Sequence, residues 1–417
     1  MIEVNPLSSQ QLMELEERYG AHNYHPLPVV LTKGQGVHVW DVEGKKYLDF
    51  LSAYSAVNQG HCHPRIIRAL KEQADQLTLT SRAFFNDQLG PYESFITRLF
   101  GYDKVLPMNT GVEAVETAIK LTRKWAYEVK GVPVNEAIIV FASRNFHGRT
   151  LGAISASTDP TATGGFGPYM PGYFVLPYND LEAMADALED PRIAGVILEP
   201  IQGEAGVVVP DEDYLPQVAQ MCRDRNVLFV ADEVQTGIAR TGKLLCCHHH
   251  GIRPDILILG KALSGGVLPV SAVLADDRIM MQIKPGQHGS TFGGNPLACA
   301  VAVEALKVVE DEDLADNAAV MGRLFRERMN ALAQQSPLIR LVRGKGLLNA
   351  VVINDDPASK TAWQICLRMA ERGLLAKPTQ GNIIRFAPPL IITDDQMDAC
   401  CTIIEKTIMQ FESSTGN

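Results

Sequence analysis

Four runs along the middle of the chain, 137–141, 195–198, 227–230 and 256–259, are apolar throughout and rich in branched or aromatic residues. They lack the strict alternation of a strand with one wet face, so they predict strands buried on both faces. Helical windows lie between several of them, 214–225 among them. From about 105 to 275 the pattern is strand, loop, helix, repeated. Such a pattern predicts an α/β fold, with a largely parallel central sheet covered by helices on both faces. In sheets of this kind ligands bind beyond the carboxyl ends of the strands.

The flanks read differently. Val37 to Trp40 alternates, 41–46 is polar and turn-forming, and Tyr47 to Phe50 follows, which predicts a hairpin. Ile66, Ile67 and Leu70 share one face of a helix over 64–77. After Asn295-Pro296 a long helix is expected from Leu297 past Val309, then short strands near 347–352 and 383–386. The expected division is an N-terminal segment, 1–45, packing with the small domain; a large domain, 46–295; and a smaller C-terminal α+β domain, 296–417.

Composition narrows the function classes. A chain of 417 residues is too long for one small core. Its 38 Lys and Arg against 48 Asp and Glu leave a net charge of −10, which argues against a life on nucleic acid or anionic membrane. No apolar run approaches the roughly 20 residues that span a bilayer. The opening twenty residues carry Glu3, Glu14, Glu16 and Glu17 against Arg18, unlike a signal or transit peptide, so a cytoplasmic location is expected. The eight cysteines are scattered without CxxC spacing and read as reduced thiols. The tract Cys246-Cys247-His248-His249-His250 looks like a metal segment, but one short stretch can hardly surround a tetrahedral ion. It reads as structural or surface, and no metal is expected.

Charge at the strand ends points to chemistry. The run 195–198 leads into Glu199 and Glu204, the run 227–230 into Asp232 and Gln235, and 256–259 into Gly260-Lys261. Parallel strands would bring these ends to one edge, with Glu204, Asp232, Gln235 and Lys261 around one crevice. A lysine kept partly dry there loses its preference for the ammonium form and becomes a nucleophilic amine. Gly260 would give the backbone room to turn. Pyridoxal 5'-phosphate needs such a lysine for a Schiff base, and a carboxylate facing its pyridine nitrogen. Asp232, flanked by Phe229, Val230 and Val234, is the candidate. The turn Asn109 to Ala114 opens a helix and presents backbone N–H groups to a phosphate. Ser290 to Asn295 is a second small-polar turn of that kind. Phe146 and Arg149 offer an aromatic face and a cation. Arg385, inside an apolar strand, meets either a substrate carboxylate or an internal acid.

Taken together, Thr110-Gly-Val-Glu-Ala114, Phe146-His-Gly-Arg149, Glu199-Pro-Ile-Gln-Gly-Glu204, Ala231-Asp-Glu-Val-Gln-Thr-Gly237, Gly260-Lys-Ala-Leu-Ser-Gly-Gly266 and Ser290-Thr-Phe-Gly-Gly-Asn-Pro296 resemble the class III, or omega, aminotransferases of fold type I. Tyr24 within 22–28, and the stretches 55–61, 343–350 and 384–389, resemble the branch of that family acting on the δ-amine of ornithine. The resemblance runs from about residue 18 to the C-terminal helix. It implies that Lys261 bonds the cofactor aldehyde and carries the proton. Asp232 would face the ring nitrogen, Phe146 would stack on the ring and Gln235 would approach the phenolic oxygen. Gly111 and Val112 would hold the phosphate, with Ser290 or Thr291 completing that site from the other subunit of a homodimer. Tyr24 and Arg149 would hold the α-carboxylate of L-ornithine, and Arg385 that of 2-oxoglutarate. Arg149 would also take the distal carboxylate of the keto acid. Glu204 would neutralise Arg385 during the ornithine half-reaction, and Tyr54 would select the δ-amine. His147 is left as a supporting residue. Two rivals stand beside this reading: another ω-amino donor, N-acetylornithine or 4-aminobutyrate, and a catalytically silent binding protein on the same fold.

Overall fold

The computed structural model describes residues 7–415, so Glu3 of the opening segment lies outside the described residues. Its centre is a seven-stranded sheet in the order Lys104–Met108, Ser271–Ala275, Ile256–Leu259, Leu228–Asp232, Ile193–Leu198, Ile138–Ala142, Tyr173–Leu176. The last five of these pair parallel with one another. Alternate residues of one strand enter opposite cores. Ile139 and Phe141 join the cluster under helix Gly111–Trp125, whereas Ile138 and Val140 join the cluster under helix Tyr214–Asp224. That is why these runs are apolar without alternation.

Ser271–Ala275 departs from the parallel pattern and pairs antiparallel with both neighbours. Only 11 residues, 260–270, separate it from Ile256–Leu259. They hold one short turn of helix, Lys261–Ser264, and a parallel crossover needs a dozen or more residues and usually a full helix. The chain therefore folds straight back.

The C-terminal sheet is antiparallel, in the order Ile339–Lys345, Leu348–Ile353, Ile383–Phe386, Lys377–Thr379. The hairpin of His38–Asp41 and Lys46–Asp49 forms with a third strand, Leu31–Gln35, and is extended in parallel by Leu374–Leu375. Helix Pro296–Asp311 packs on helix Pro64–Ala74, and one apolar cluster runs from Phe50 and Ile66 through Leu257 to Phe325 and Phe386. In the Cys246–His250 turn both cysteines are buried, and their N–H groups donate to the Glu233 carboxylate at 2.8 Å each. The tract is a structural turn. Among the described residues no group of three or more His, Cys, Asp or Glu is placed to hold a metal ion.

Candidate active site

Three parallel strands deliver their carboxyl ends to one cavity of about 180 Å³, lined by Gly111, Val112, Phe146, His147, Glu199, Glu204, Asp232, Val234, Gln235 and Lys261 among others. Lys261 leaves strand Ile256–Leu259 with φ +45, a left-handed conformation that a side chain strains to adopt. Gly260 does not supply the turn. Its φ of −169 is extended backbone, open to any residue. Its smallness matters instead for closeness, because a Cβ there would lie 3.2 Å from Val234 Cγ1 and 3.5 Å from Gly111 Cα. Burial lowers the Lys261 pKa, with Glu204 and Asp232 opposing and Arg385 assisting. The amine is thereby biased toward its nucleophilic form.

Asp232, at the end of Leu228–Asp232, is buried and accepts from His147 Nδ1 at 2.7 Å and from the Val234 N–H at 3.1 Å. Burial works against a charged His147, but the Asp232 hydrogen bond and charge outweigh it and raise its pKa. Glu199 completes this floor, accepting from the Phe146 N–H at 2.9 Å. Burial, reinforced by Asp232 and opposed by His147, pushes its carboxyl up to about 7.

At the other end of the cavity helix Gly111–Trp125 begins. Thr110 and Glu113 close a capping box, so the Asn109 and Thr110 N–H groups are taken by Glu113 Oε2. The N–H groups of Gly111 and Val112 have no acceptor within the helix. The space before them is kept open by glycines. A Cβ on Gly111 would meet Val234 Cγ1 at 2.9 Å, and one on Gly148, at φ +130, would meet Val112 Cγ2 at 2.2 Å. Ser290 and Thr291 do not line this cavity. Ser290 Oγ accepts from Asn109 Nδ2 at 2.8 Å, and Thr291 is exposed beside Phe292.

The substrate candidates cluster on one side. Arg385, buried in Ile383–Phe386, donates to Glu204 Oε1 at 2.7 Å, and Gln235 Nε2 donates to the same oxygen at 3.0 Å. Burial would raise the Glu204 pKa, but Arg385 outweighs it and holds the carboxyl low. The Arg385 guanidinium lies 4.7 Å from the centre of the Tyr54 ring, a cation–π contact. Burial raises the Tyr54 pKa, with Arg385 opposing the rise and Glu204 adding to it. Tyr24 itself is exposed, in the segment before Leu31–Gln35. Arg149 is exposed, 5.1 Å over the Phe146 ring.

An amine, a buried carboxylate, an aromatic face and two free helix N–H groups thus share one cavity, and Gln235 Oε1, buried there, has no partner. This set fits pyridoxal phosphate: the amine for its aldehyde, the carboxylate for its ring nitrogen and the N–H pair for its phosphate. The sequence reading passed over Glu199 and Val234, which line the same cavity. The signal available for Glu199 was its place directly after the buried run 195–198.

Residues 19–408 match the family described as aminotransferase class-III. The chain is 59% identical over 409 residues to the mitochondrial ornithine aminotransferase of Rattus norvegicus, spanning 98% of this chain and 92% of that one. Among solved structures it is similar to an acetylornithine aminotransferase from Elizabethkingia anophelis, with 60% identity and a TM-score of 0.90, over 97% of this chain and 100% of that one. It is also similar to the ornithine aminotransferase of Toxoplasma gondii, described with partial occupancy of pyridoxal phosphate at its active site. There the identity is 47% and the TM-score 0.96, over 98% of this chain and 96% of that one.

Proposed function

The chain belongs to the class III aminotransferase family, and from that premise we propose that it moves the δ-amino group of L-ornithine to 2-oxoglutarate. The products are glutamate 5-semialdehyde, which cyclises to pyrroline-5-carboxylate, and glutamate. Pyridoxal phosphate, when bound, supplies the aldehyde that exchanges amines and the protonated ring that draws electrons from the reacting carbon. Lys261 is the group that gives way to the substrate amine and then carries the proton at that carbon. Asp232, with its second oxygen on His147, stabilises positive charge at the ring nitrogen. Phe146 supports the ring, Gln235 offers a partner to the phenolic oxygen, and Gly111 and Val112 hold the phosphate by their N–H groups.

The observation that carries the substrate choice is the Glu204–Arg385 pair at 2.7 Å beneath Tyr54. With Arg385 neutralised, the cavity has no free guanidinium there to draw an α-carboxylate toward Lys261, so ornithine enters distal amine first. Tyr24 and Arg149 take its α-carboxylate further out. When Glu204 releases Arg385, that arginine takes the α-carboxylate of 2-oxoglutarate and Arg149 the distal one. A second copy of the chain covers Phe84, Phe85, Thr291 and Phe292, each exposed in the single chain, and Ser290 or Thr291 completes the partner's phosphate site.

N-acetylornithine stays as the second reading, favoured by the identity to the Elizabethkingia structure. Steady-state assays of ornithine, N-acetylornithine and 4-aminobutyrate with 2-oxoglutarate, following the glutamate that all three would form and pyrroline-5-carboxylate as the product of ornithine alone, separate the donors. Ornithine should show the highest kcat/KM, and a preference for either other donor overturns the assignment.

A further inference from the structure

The backbone of the loop that carries Glu204 is gripped at successive carbonyls. Thr379 Oγ1 and Gln380 Nε2 each donate to the Glu204 carbonyl at 3.1 Å. Arg144 Nη2 donates to the Ala205 carbonyl at 3.0 Å, and Arg343 Nε to the Gly206 carbonyl at 3.0 Å. Among the described residues neither arginine forms an ion pair, so each spends its charge on a neutral backbone oxygen. They are also close enough for Arg144, after burial, to lower the Arg343 pKa. Placing two like charges side by side without a carboxylate is unfavourable by itself, which makes the grip on the loop the compensating interaction.

The sheet register explains why Arg343 reaches this loop. Arg343 pairs with Ala350, and Ala350 pairs with Arg385, so the two arginines stand in one row on one sheet face, two strands apart. Strands are spaced about 4.8 Å, which puts the two backbones roughly 10 Å apart. Ala350 between them carries only a methyl group and is buried in one apolar cluster with Val207, the residue that follows Gly206. Gly206, at φ +98, lets the loop descend there, since a Cβ on it would meet Ile383 Cδ1 at 2.5 Å and Arg343 Nη2 at 3.2 Å. The same row of side chains therefore holds the main chain of the loop through Arg343 and its carboxylate through Arg385.

Resting on the ornithine reading above, we infer that Arg343 and Arg144 are positioning residues. They fix the 203–206 loop so that Glu204 stays on Arg385, and thereby set how readily that pair opens to admit an α-carboxylate. Neither touches substrate or cofactor.

The test uses Arg343→Met, which keeps the length of the stem and removes the donors, and Arg144→Met, on the exposed side of the loop, in case the first fails to fold. Two quantities are measured on the holoenzyme. One is the Kd of glutarate, a dicarboxylate with no carbonyl to react, by calorimetry. The other is the ratio of single-turnover rates with L-glutamate and L-ornithine. Release of Glu204 should free Arg385, so glutarate should bind about fivefold tighter or more, and the glutamate-to-ornithine ratio should rise by a similar factor. Arg343→Lys, keeping one donor, should fall between. An unchanged ratio with unchanged glutarate affinity, or a parallel loss with both ligands, overturns the inference, because a merely structural role moves both together. If the wild-type enzyme fails to use ornithine, the substrate reading falls, while the glutarate comparison still decides the role of the two arginines.

Discussion

Asp232, His147 and Glu199 lie together on the dry floor of the cavity, and their protons cannot move independently. Asp232 is hydrogen-bonded to His147 at 2.7 Å, and Glu199 is within electrostatic reach of both. The carboxyl of Glu199 titrates near 4.5 in the unfolded chain and about 7 when folded. Between those values the folded chain holds a proton that the unfolded chain has lost, so stability falls as pH rises through that window and levels off above it. His147, with its raised pKa, adds a term of the same sign, lost as pH rises through its folded value. Glu199→Gln removes the first term and trims the second, because the Glu199 charge helps to hold the His147 pKa up. Urea unfolding at pH 5 and pH 8 should show the wild type losing more stability than the variant between the two, by about 2 kcal/mol; equal losses would show that Glu199 is not protonated in the folded protein. Lys261 and Asp232 were legible as charges directly after buried strands. Glu199 stands in a similar place but is followed by Pro200, and read alone it looks like a solvated loop charge. What buries it is Phe146 and the strand-end turn from 53 residues earlier in the chain, a contact no local pattern encodes.

One short element bears directly on specificity. Ser52, Ala53, Tyr54 and Ser55 all have left-handed φ, at +49, +45, +61 and +72. The turn is pinned at its start by Asp49, whose Oδ1 accepts from the Leu51 and Ser52 N–H groups at 2.8 and 3.0 Å and whose Oδ2 bonds His61 at 2.7 Å. The strain places the Tyr54 ring over Arg385. For an alanine the left-handed conformation costs about 1–2 kcal/mol, part of which a glycine returns as lost chain entropy. Ala53 is exposed, so Ala53→Gly should raise stability by about 0.5–1 kcal/mol in thermal unfolding and leave the ornithine kcat/KM unchanged. A destabilised variant would mean that Ala53 makes a contact the strain serves. Nothing in Ser-Ala-Tyr-Ser announces such a turn, because it contains no glycine or asparagine; tertiary bonds impose it. By contrast, the strands within 138–142, 193–198, 228–232 and 256–259 were readable because burial on both faces leaves an unbroken apolar run. Ser271–Ala275 was missed although it is equally buried, since it begins and ends in small residues that carry little strand signal.

At the scale of the whole molecule, the large sheet, the Tyr54 turn and the C-terminal sheet meet at Arg240. This side chain is fully buried, and among the described residues it has no carboxylate partner. Its Nε bonds Asn58 Oδ1 at 3.1 Å, and Nη1 bonds the carbonyls of Leu347 at 2.9 Å and Pro388 at 2.7 Å. Its own carbonyl accepts from the Leu347 N–H at 3.0 Å. Burial pushes its pKa down to about 9, eased by Asp49 and worsened by Arg385, yet the guanidinium stays charged at neutral pH. Only a planar fork of donors can reach three oxygens in three parts of the chain at once. Asn58 follows the Tyr54 turn and Pro388 follows the Arg385 strand, so this one residue sets the distance between the two side chains that meet above Glu204. Arg240→Met would leave those acceptors buried and unpaired, at a cost of about 3 kcal/mol in urea unfolding. Arg240→Lys should recover only part of it, because an ammonium cannot reproduce the fork. In both variants the KM for 2-oxoglutarate should rise, since Pro388 no longer anchors the end of the Arg385 strand. A loss of stability without any change in that KM would confine Arg240 to the core and leave the geometry above Glu204 to the local contacts of its own loop.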